Sequence, residues 1–257
     1  MTVIDQIHAH RSIRKYKPDP IPGDLLNKIF EAGIRASSSG NMQTYSIIAT
    51  GDMALREQLY EAHFEQNMVL EAPLLLTFCA DFRRMRQWLR ISNAPDNFDN
   101  IMSFMIAAID AILVSQNVAL AAESEGLGIC YLGSTFSNCA KVGKILQLPS
   151  SVVPVVGFTL GYANEDPELR DRLPLDGLVH HETYQDYSDD RVAEIYKQRE
   201  TKGWERYMSS PRLHKLIVDS GAENLAQVYT TVKYTRRSHQ EFSRKVLSYL
   251  KKQDFMN

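Results

Sequence analysis

Residues 101–122 read IMSFMIAAIDAILVSQNVALAA, and the reading of this stretch decides the fold. It is mostly apolar and has the length of a bilayer-crossing helix. Asp110, Gln116 and Asn117 interrupt it, and a charge at the middle of a bilayer is costly. The other reading is a helix at the centre of a protein. A helix apolar on nearly every side has to be covered on every side. We read a central helix over 101–125, closed by Gly126 and covered by the rest of the chain and by a second subunit. No membrane span is expected.

Outward from this helix the pattern alternates. On its N-terminal side, residues 2–9 read as a short helix and Tyr16–Ile21, with two prolines, as extended chain. A helix starts at Pro22-Gly23-Asp24, carries Leu25, Leu26, Ile29, Phe30 and Gly33 at helical spacing, and is ended by Ser37–Asn41. A strand over 46–50, a helix over 53–64 and a buried strand at PLLLTFCA (73–80) follow. Residues 81–100, with Arg83, Arg84, Arg86 and Arg90 before Asn93-Ala94-Pro95-Asp96-Asn97, read as an irregular, flexible segment at the mouth of a site. Beyond the central helix come a strand over 128–132, a helix over 137–146 and a strand region VVPVVGFTLGY (152–162) broken by Pro154 and Gly157. Residues 163–188 are loop-rich. A helix from Asp189 to about 202 and helical patterning at 222–230 and 241–252 complete the chain. This alternation argues for an α/β or α+β class. No GxGxxG follows the first strand, so a Rossmann dinucleotide fold has no support.

The 257 residues suffice for one large domain or two small ones, and 44% are apolar, enough for a substantial core. A formal net charge of −2 gives no reason to expect a nucleic-acid partner. Cys79, Cys130 and Cys139 are odd in number and lack metal-ligand spacing, so reduced thiols in a cytoplasmic protein are the simple reading. The N-terminus has an early acid and no apolar core, hence no secretory signal. His180-His181-Glu182 has no partner at zinc-motif spacing, and no metal is expected.

Four pieces carry chemistry, each with a plain reading beside a functional one. His10-Arg11-Ser12-Ile13-Arg14 is an anion cradle or an exposed basic turn; arginine suits the former because its guanidinium stays charged and donates in a planar fork. Ser37-Ser38-Ser39-Gly40-Asn41 is a hydroxyl-rich ligand loop or an ordinary serine-rich connection. In Glu123–Ser134, glycines surround a short strand. Glycine allows close backbone approach to a flat ring; Gly126 reads as a plain helix C-cap, while Gly133 and Ser134 are less easily given a plain role. Arg170-Asp171-Arg172-Leu173-Pro174 closes on a phosphate or is a solvated turn. The residues alone leave each pair open.

Taken in order over about 190 residues, His10–Arg14, Ser37–Ile48, Gln66, Phe78–Asp81, Ala121–Gly128, Tyr131–Gly133 and Arg170–Pro174 resemble the FMN-dependent nitroreductase superfamily, in its NAD(P)H nitroreductase and flavin reductase branch. The resemblance implies an α+β fold whose central, mainly antiparallel sheet is wrapped by helices. It also implies an intertwined homodimer with two FMN sites at its interface. Residues 1–188 would form the FMN-binding core, and 189–257 a C-terminal helical extension packed on the core or the partner subunit.

Carried over, His10, Arg11 and Ser12 would lie at the FMN phosphate and ribityl chain, and Arg14 at the polar edge of the isoalloxazine ring. There a cation stabilises negative charge on reduced flavin. Ser38, Ser39 and Asn41 would come from the partner subunit. Gln66 would bond the ring, and Tyr131, Leu132, Gly133 and Ser134 would line one face of it. Arg170 and Arg172 would hold the phosphate. Many relatives have a second glycine where Ser134 stands, and many have lysine at Arg170. Arg199, Lys202 and Arg206 are candidates for the NADPH 2′-phosphate, so that NADPH or NADH is the donor with NADPH favoured.

The implied activity is hydride transfer from NAD(P)H through flavin N5 to a small-molecule acceptor (nitroaromatic, quinone or free flavin) in ping-pong order, with no catalytic side chain required. The rivals are a same-fold flavoenzyme with another specific substrate and a flavin-binding protein with little catalysis.

Overall fold

The computed structural model describes residues 2–257, which fall into two compact units: residues 2–168 together with 242–257, and residues 169–241. The last 16 residues belong to the first unit. Tyr249, Leu250 and Phe255 explain this, since all three are buried in a core cluster with Ala80, Phe82, Phe104 and Val153.

The first unit is built on four antiparallel strands in the order β1 (Tyr45–Thr50), β2 (Leu74–Asp81), β4 (Val152–Gly161), β3 (Gly128–Tyr131). Side chains alternate across a strand. Leu76 and Phe78 of β2, with Phe158 and Leu160 of β4, join one cluster, while Leu75 joins another with Leu59, Val69, Leu132 and Val142. Both faces are therefore covered, which is why PLLLTFCA is apolar throughout and does not alternate. Pro154, which has no N–H to give, lies where the β2–β4 register shifts. Phe78 pairs with Val156 and Cys79 with Pro154, so Val155 is the extra residue and the strand continues unbroken.

The helices of this unit are α1 (Val3–Ala9), α2 (Gly23–Gly33), α3 (Met53–Ala62), α4 (Met68–Glu71), α5 (Arg83–Ile91), α6 (Ile101–Ser124), α7 (Ser134–Ser137) and α8 (Cys139–Ile145). The central helix is α6. The Asn100 side chain caps its start by accepting from the Met102 and Ser103 amides, and Gly126 at φ +80° turns the chain out of it. Ala111, Val114, Val118, Ala119 and Ala122 lay one side of it on the sheet and on Ile29 of α2. Gly33 lets α2 close in, because a Cβ there would stand 2.2 Å from Val118 Cγ2. By length and composition α6 is the one described helix able to cross a membrane, but this packing makes it the core helix of the sheet.

Residues 83–91 are a correction. They form α5 and are not irregular. Arginine, glutamine, methionine and leucine are good helix formers. Met85 packs on the core, and the arginine side chains find partners along its flank: Arg84 with Asp81, and Arg86 with Asp96.

The second unit holds α9 (Asp189–Met208), which runs past the expected end near 202, then α10 (Pro211–Ser220) and α11 (Leu225–Val228). The last helix, α12 (Arg236–Lys252), begins here and ends in the first unit.

Candidate functional site

The HRSIR segment runs beside β3. Ser12 forms a parallel bridge to Ile129, and the Ile13 amide donates to the Ile129 carbonyl at 2.8 Å. Two acids just beyond the end of β4 hold it there. Arg11 pairs with Asp166, and Glu165 accepts from the amides of Arg14 and Lys15. His10 Nδ1 lies 2.6 Å from Glu123 Oε1 at the end of α6. Tyr16, buried, ties the segment to β4. Its hydroxyl donates to the Ile13 carbonyl at 2.6 Å and meets Thr159, and burial pushes its phenol well above the ordinary range. The Arg14 guanidinium reaches the Ser12 carbonyl at 3.2 Å and is otherwise exposed.

The end of β3 meets the same edge. Tyr131 sets its hydroxyl 3.1 Å from Ser115 of α6, and the Leu132 amide donates to Gly157 at 2.8 Å. Gly133 follows in an ordinary helical conformation, φ −61° and ψ −18°. A Cβ built on it meets no atom within 4 Å. Ser134 is buried, with its Oγ 2.8 Å from His63 Nδ1 and 3.5 Å from Gln66 Nε2. Gln66 also donates to the His63 carbonyl at 2.9 Å. His63 is fully buried, and burial pushes its imidazole down to about 4. The structure therefore joins four of the expected pieces: HRSIR, Gln66, the Tyr131–Leu132–Gly133 run and Ser134.

Ser38, Ser39 and Asn41 are held elsewhere. Asp110, fully buried on α6, accepts from Ser38 Oγ (2.7 Å), the Ser39 amide (3.0 Å), the Thr44 amide (3.3 Å) and Thr44 Oγ1 (3.1 Å). The loop between them passes through left-handed conformations at Gly40, Asn41 and Gln43. Arg84 of α5 fastens its far end through the Gln43 and Tyr45 carbonyls, at 2.9 and 2.8 Å.

Arg170 and Arg172 belong to the second unit, where Arg172 donates to the Arg170 and Asp171 carbonyls at 3.2 and 3.1 Å. Asp171 between them is anchored by Arg199 at 3.2 Å and faces Arg206 at 3.7 Å. Burial pushes the Asp171 carboxyl up, and the Arg199 hydrogen bonds and charge outweigh it, leaving it below its ordinary value. Arg199 also donates to the Tyr229 hydroxyl at 2.6 Å. Its guanidinium is thus committed inside the unit, which argues against the phosphate role considered for it; Lys202 is exposed. Both nitrogens of His180 are engaged, with the Gln185 amide and the Tyr187 hydroxyl, each at 3.0 Å. The three cysteines are buried and form no disulfide, and burial pushes the Cys130 thiol up.

Three groups were not singled out from the sequence. Asp110 stood out only as an interruption of an apolar helix, although a charge in such a place calls for partners. Glu165 and Asp166 carry no local signal. Neither does His63, whose partner lies 71 positions away.

An antiparallel sheet over a central helix, with a basic N-terminal segment laid beside a glycine–serine shelf, defines an enzyme class. The chain belongs to the nitroreductase family, whose model matches residues 7–162. Within that family it is 35% identical over 214 residues to an NADPH-dependent oxidoreductase of Staphylococcus aureus, covering 77% of this chain and 84% of the relative. A solved structure from Bacteroides fragilis NCTC 9343 superposes with a TM-score of 0.90 at 41% identity, covering 98% of this chain and all of that one. The NADPH:FMN oxidoreductase from Vibrio harveyi, solved with NAD+, superposes with a TM-score of 0.79 at 29% identity over 98% of each chain.

Proposed function

We propose that this chain is a homodimeric FMN enzyme that takes reducing equivalents from NAD(P)H and delivers them to small oxidised acceptors such as nitroaromatics, quinones or free flavin. An oxidoreductase dependent on NAD(P)H is what family and relatives support. The observation that carries the FMN reading is Gly133. Neither its backbone angles nor its neighbours require glycine, yet a flat ring lying against the peptide would.

Two further features fit the group. Arg11 Nε and Glu123 Oε2 are buried with no hydrogen-bond partner among the described residues, and buried polar atoms of this kind call for one. Bound FMN would supply hydride transfer, accepting from NAD(P)H and then donating to an acceptor in the same place.

The chain's own residues would bind and tune the cofactor. His10, Arg11 and Ser12 would take the phosphate and ribityl chain. Arg14 would offset negative charge at the ring edge. Gln66 and the Tyr131–Ser134 run would hold the ring, and Ser38, Ser39 and Asn41 of a second copy would complete the site. A second copy is supported by the apolar side of α6, where Met102, Met105, Ile109 and Ile112 stay about half exposed or more in the single chain.

The test is the visible spectrum of the purified protein, followed by anaerobic mixing with NADPH and with NADH. We expect a flavin band that NADPH bleaches and that an added quinone restores. A colourless protein that takes up no added FMN would overturn the proposal.

A further inference from the structure

We propose that His63 is a positioning residue that, together with Gln66, presents the Ser134 hydroxyl as a hydrogen-bond donor to the bound flavin. This rests on the FMN reading above and deepens it. The argument is one of hydrogen supply. Ser134 Oγ has two nitrogens near it, His63 Nδ1 at 2.8 Å and Gln66 Nε2 at 3.5 Å. The amide nitrogen of Gln66 can only donate.

Burial keeps the His63 ring neutral, so one of its nitrogens carries hydrogen and the other a lone pair. Its Nε2 is buried with no partner among the described residues. Hydrogen on Nε2 would leave a buried N–H with no acceptor, a rare and costly arrangement. A bare lone pair is the lesser loss. The hydrogen therefore belongs on Nδ1, which donates to Ser134 Oγ.

The serine oxygen then receives two donors, and its own hydrogen is left over. Among the described residues that hydrogen finds no acceptor. Ser134 directly follows Gly133, whose Cβ position is open space, so the spare hydrogen and the ring site adjoin. A hydroxyl donor beside the ring favours the more electron-rich reduced flavin over the oxidised form. His63 does not touch the ring; it acts through Ser134.

Two measurements on the FMN-bound protein test this. Nitrogen-15 NMR of the histidine rings reads the tautomer of His63 directly, in unaltered protein. We expect hydrogen on Nδ1, both with and without FMN. Hydrogen on Nε2 would overturn the proposal, because Ser134 would then be spending its hydrogen on His63.

The second measurement is the flavin midpoint potential in Ser134→Ala, His63→Leu, His63→Asn and the Ser134→Ala/His63→Leu double variant. Ser134→Ala and His63→Leu should each lose roughly tenfold in preference for reduced over oxidised flavin, a fall of about 30 mV for a two-electron couple. The double variant should fall no further than either single one, since both remove the same bond. His63→Asn, which keeps a donor near the Nδ1 position, should stay close to the parent protein. Yellow protein whose potential does not move in Ser134→Ala would sink this inference while leaving the FMN reading intact. Parent protein that binds no FMN would sink both.

Discussion

Glycine 133 and glycine 33 show how one residue type can answer to two different causes. At Gly33 the protein itself demands the missing side chain, because Val118 Cγ2 stands 2.2 Å from where a Cβ would be. At Gly133 nothing in the described chain makes that demand. Alanine at Gly133 should therefore leave the apoprotein as stable as before, or more stable by about 0.4–1 kcal/mol through the stiffer unfolded chain. The same change should weaken FMN binding at least tenfold, since the added methyl occupies the proposed ring face. Thermal unfolding of the apoprotein and a fluorescence titration with FMN separate the two effects. Equal FMN affinity in Gly133→Ala would show that the ring does not lie there. The sequence marked Gly133 and Ser134 as positions that plain packing explained poorly, and that much was legible. His63 was not, because nothing near it in the chain announces that its partner is Ser134.

Among the elements, α6 and the Ser38–Thr44 loop are tied by one side chain. Each Asp110 oxygen faces a backbone N–H: Oδ1 that of Ser39, Oδ2 that of Thr44. Hydroxyls can rotate to suit a new partner, but these amides cannot. Asp110→Asn would set an NH2 group against one of them whichever way the amide is turned. The expected cost is about 2–4 kcal/mol, an unsatisfied buried donor plus the loss of hydrogen bonds to a charged group. Urea unfolding measures it, and proteolysis should open the chain first between residues 38 and 44. A variant as stable as the parent, with that loop still protected, would count against Asp110 as its anchor. The apolar run of α6, its cap and the buried strands were legible because hydrophobic period and glycine placement speak directly for such elements. The helix α5 was not legible: with Met85 as its inward contact, its pattern is dominated by arginines that read as loop. The helix α10 was signalled by Pro211 at its start and Gly221 at φ +69° after its end. Those marks were present in the sequence but lay in a charged stretch with weak periodicity.

Across the whole molecule, the question is what covers the apolar surface left over once the chain has folded. Met102 is 66% exposed and Ile109 48%, and with Ile101, Met105, Ile112 and Leu113 they form one stripe along α6. The short helix α1 has no buried residue, and Val3, Ile4 and Ile7 are exposed on it. Seven residues do not sustain a helix in water on their own, so packing must hold α1, and the single chain supplies little. Exposed apolar surface on this scale marks an association site. On the proposed reading a second copy would sit there and lend Ser38, Ser39 and Asn41 to the cofactor, which would make cofactor retention depend on assembly. Glutamate favours helix, so Ile109→Glu/Ile112→Glu should keep α6 helical while placing charges in the proposed interface. By light scattering the parent should have twice the 29.3 kDa chain mass and the variant about that mass itself. The variant should also lose FMN on gel filtration while its circular dichroism stays that of the parent. If the parent already runs as a monomer that retains FMN, the site is complete in one chain and the serine loop has a different role. If the variant stays dimeric, the copies meet through another face.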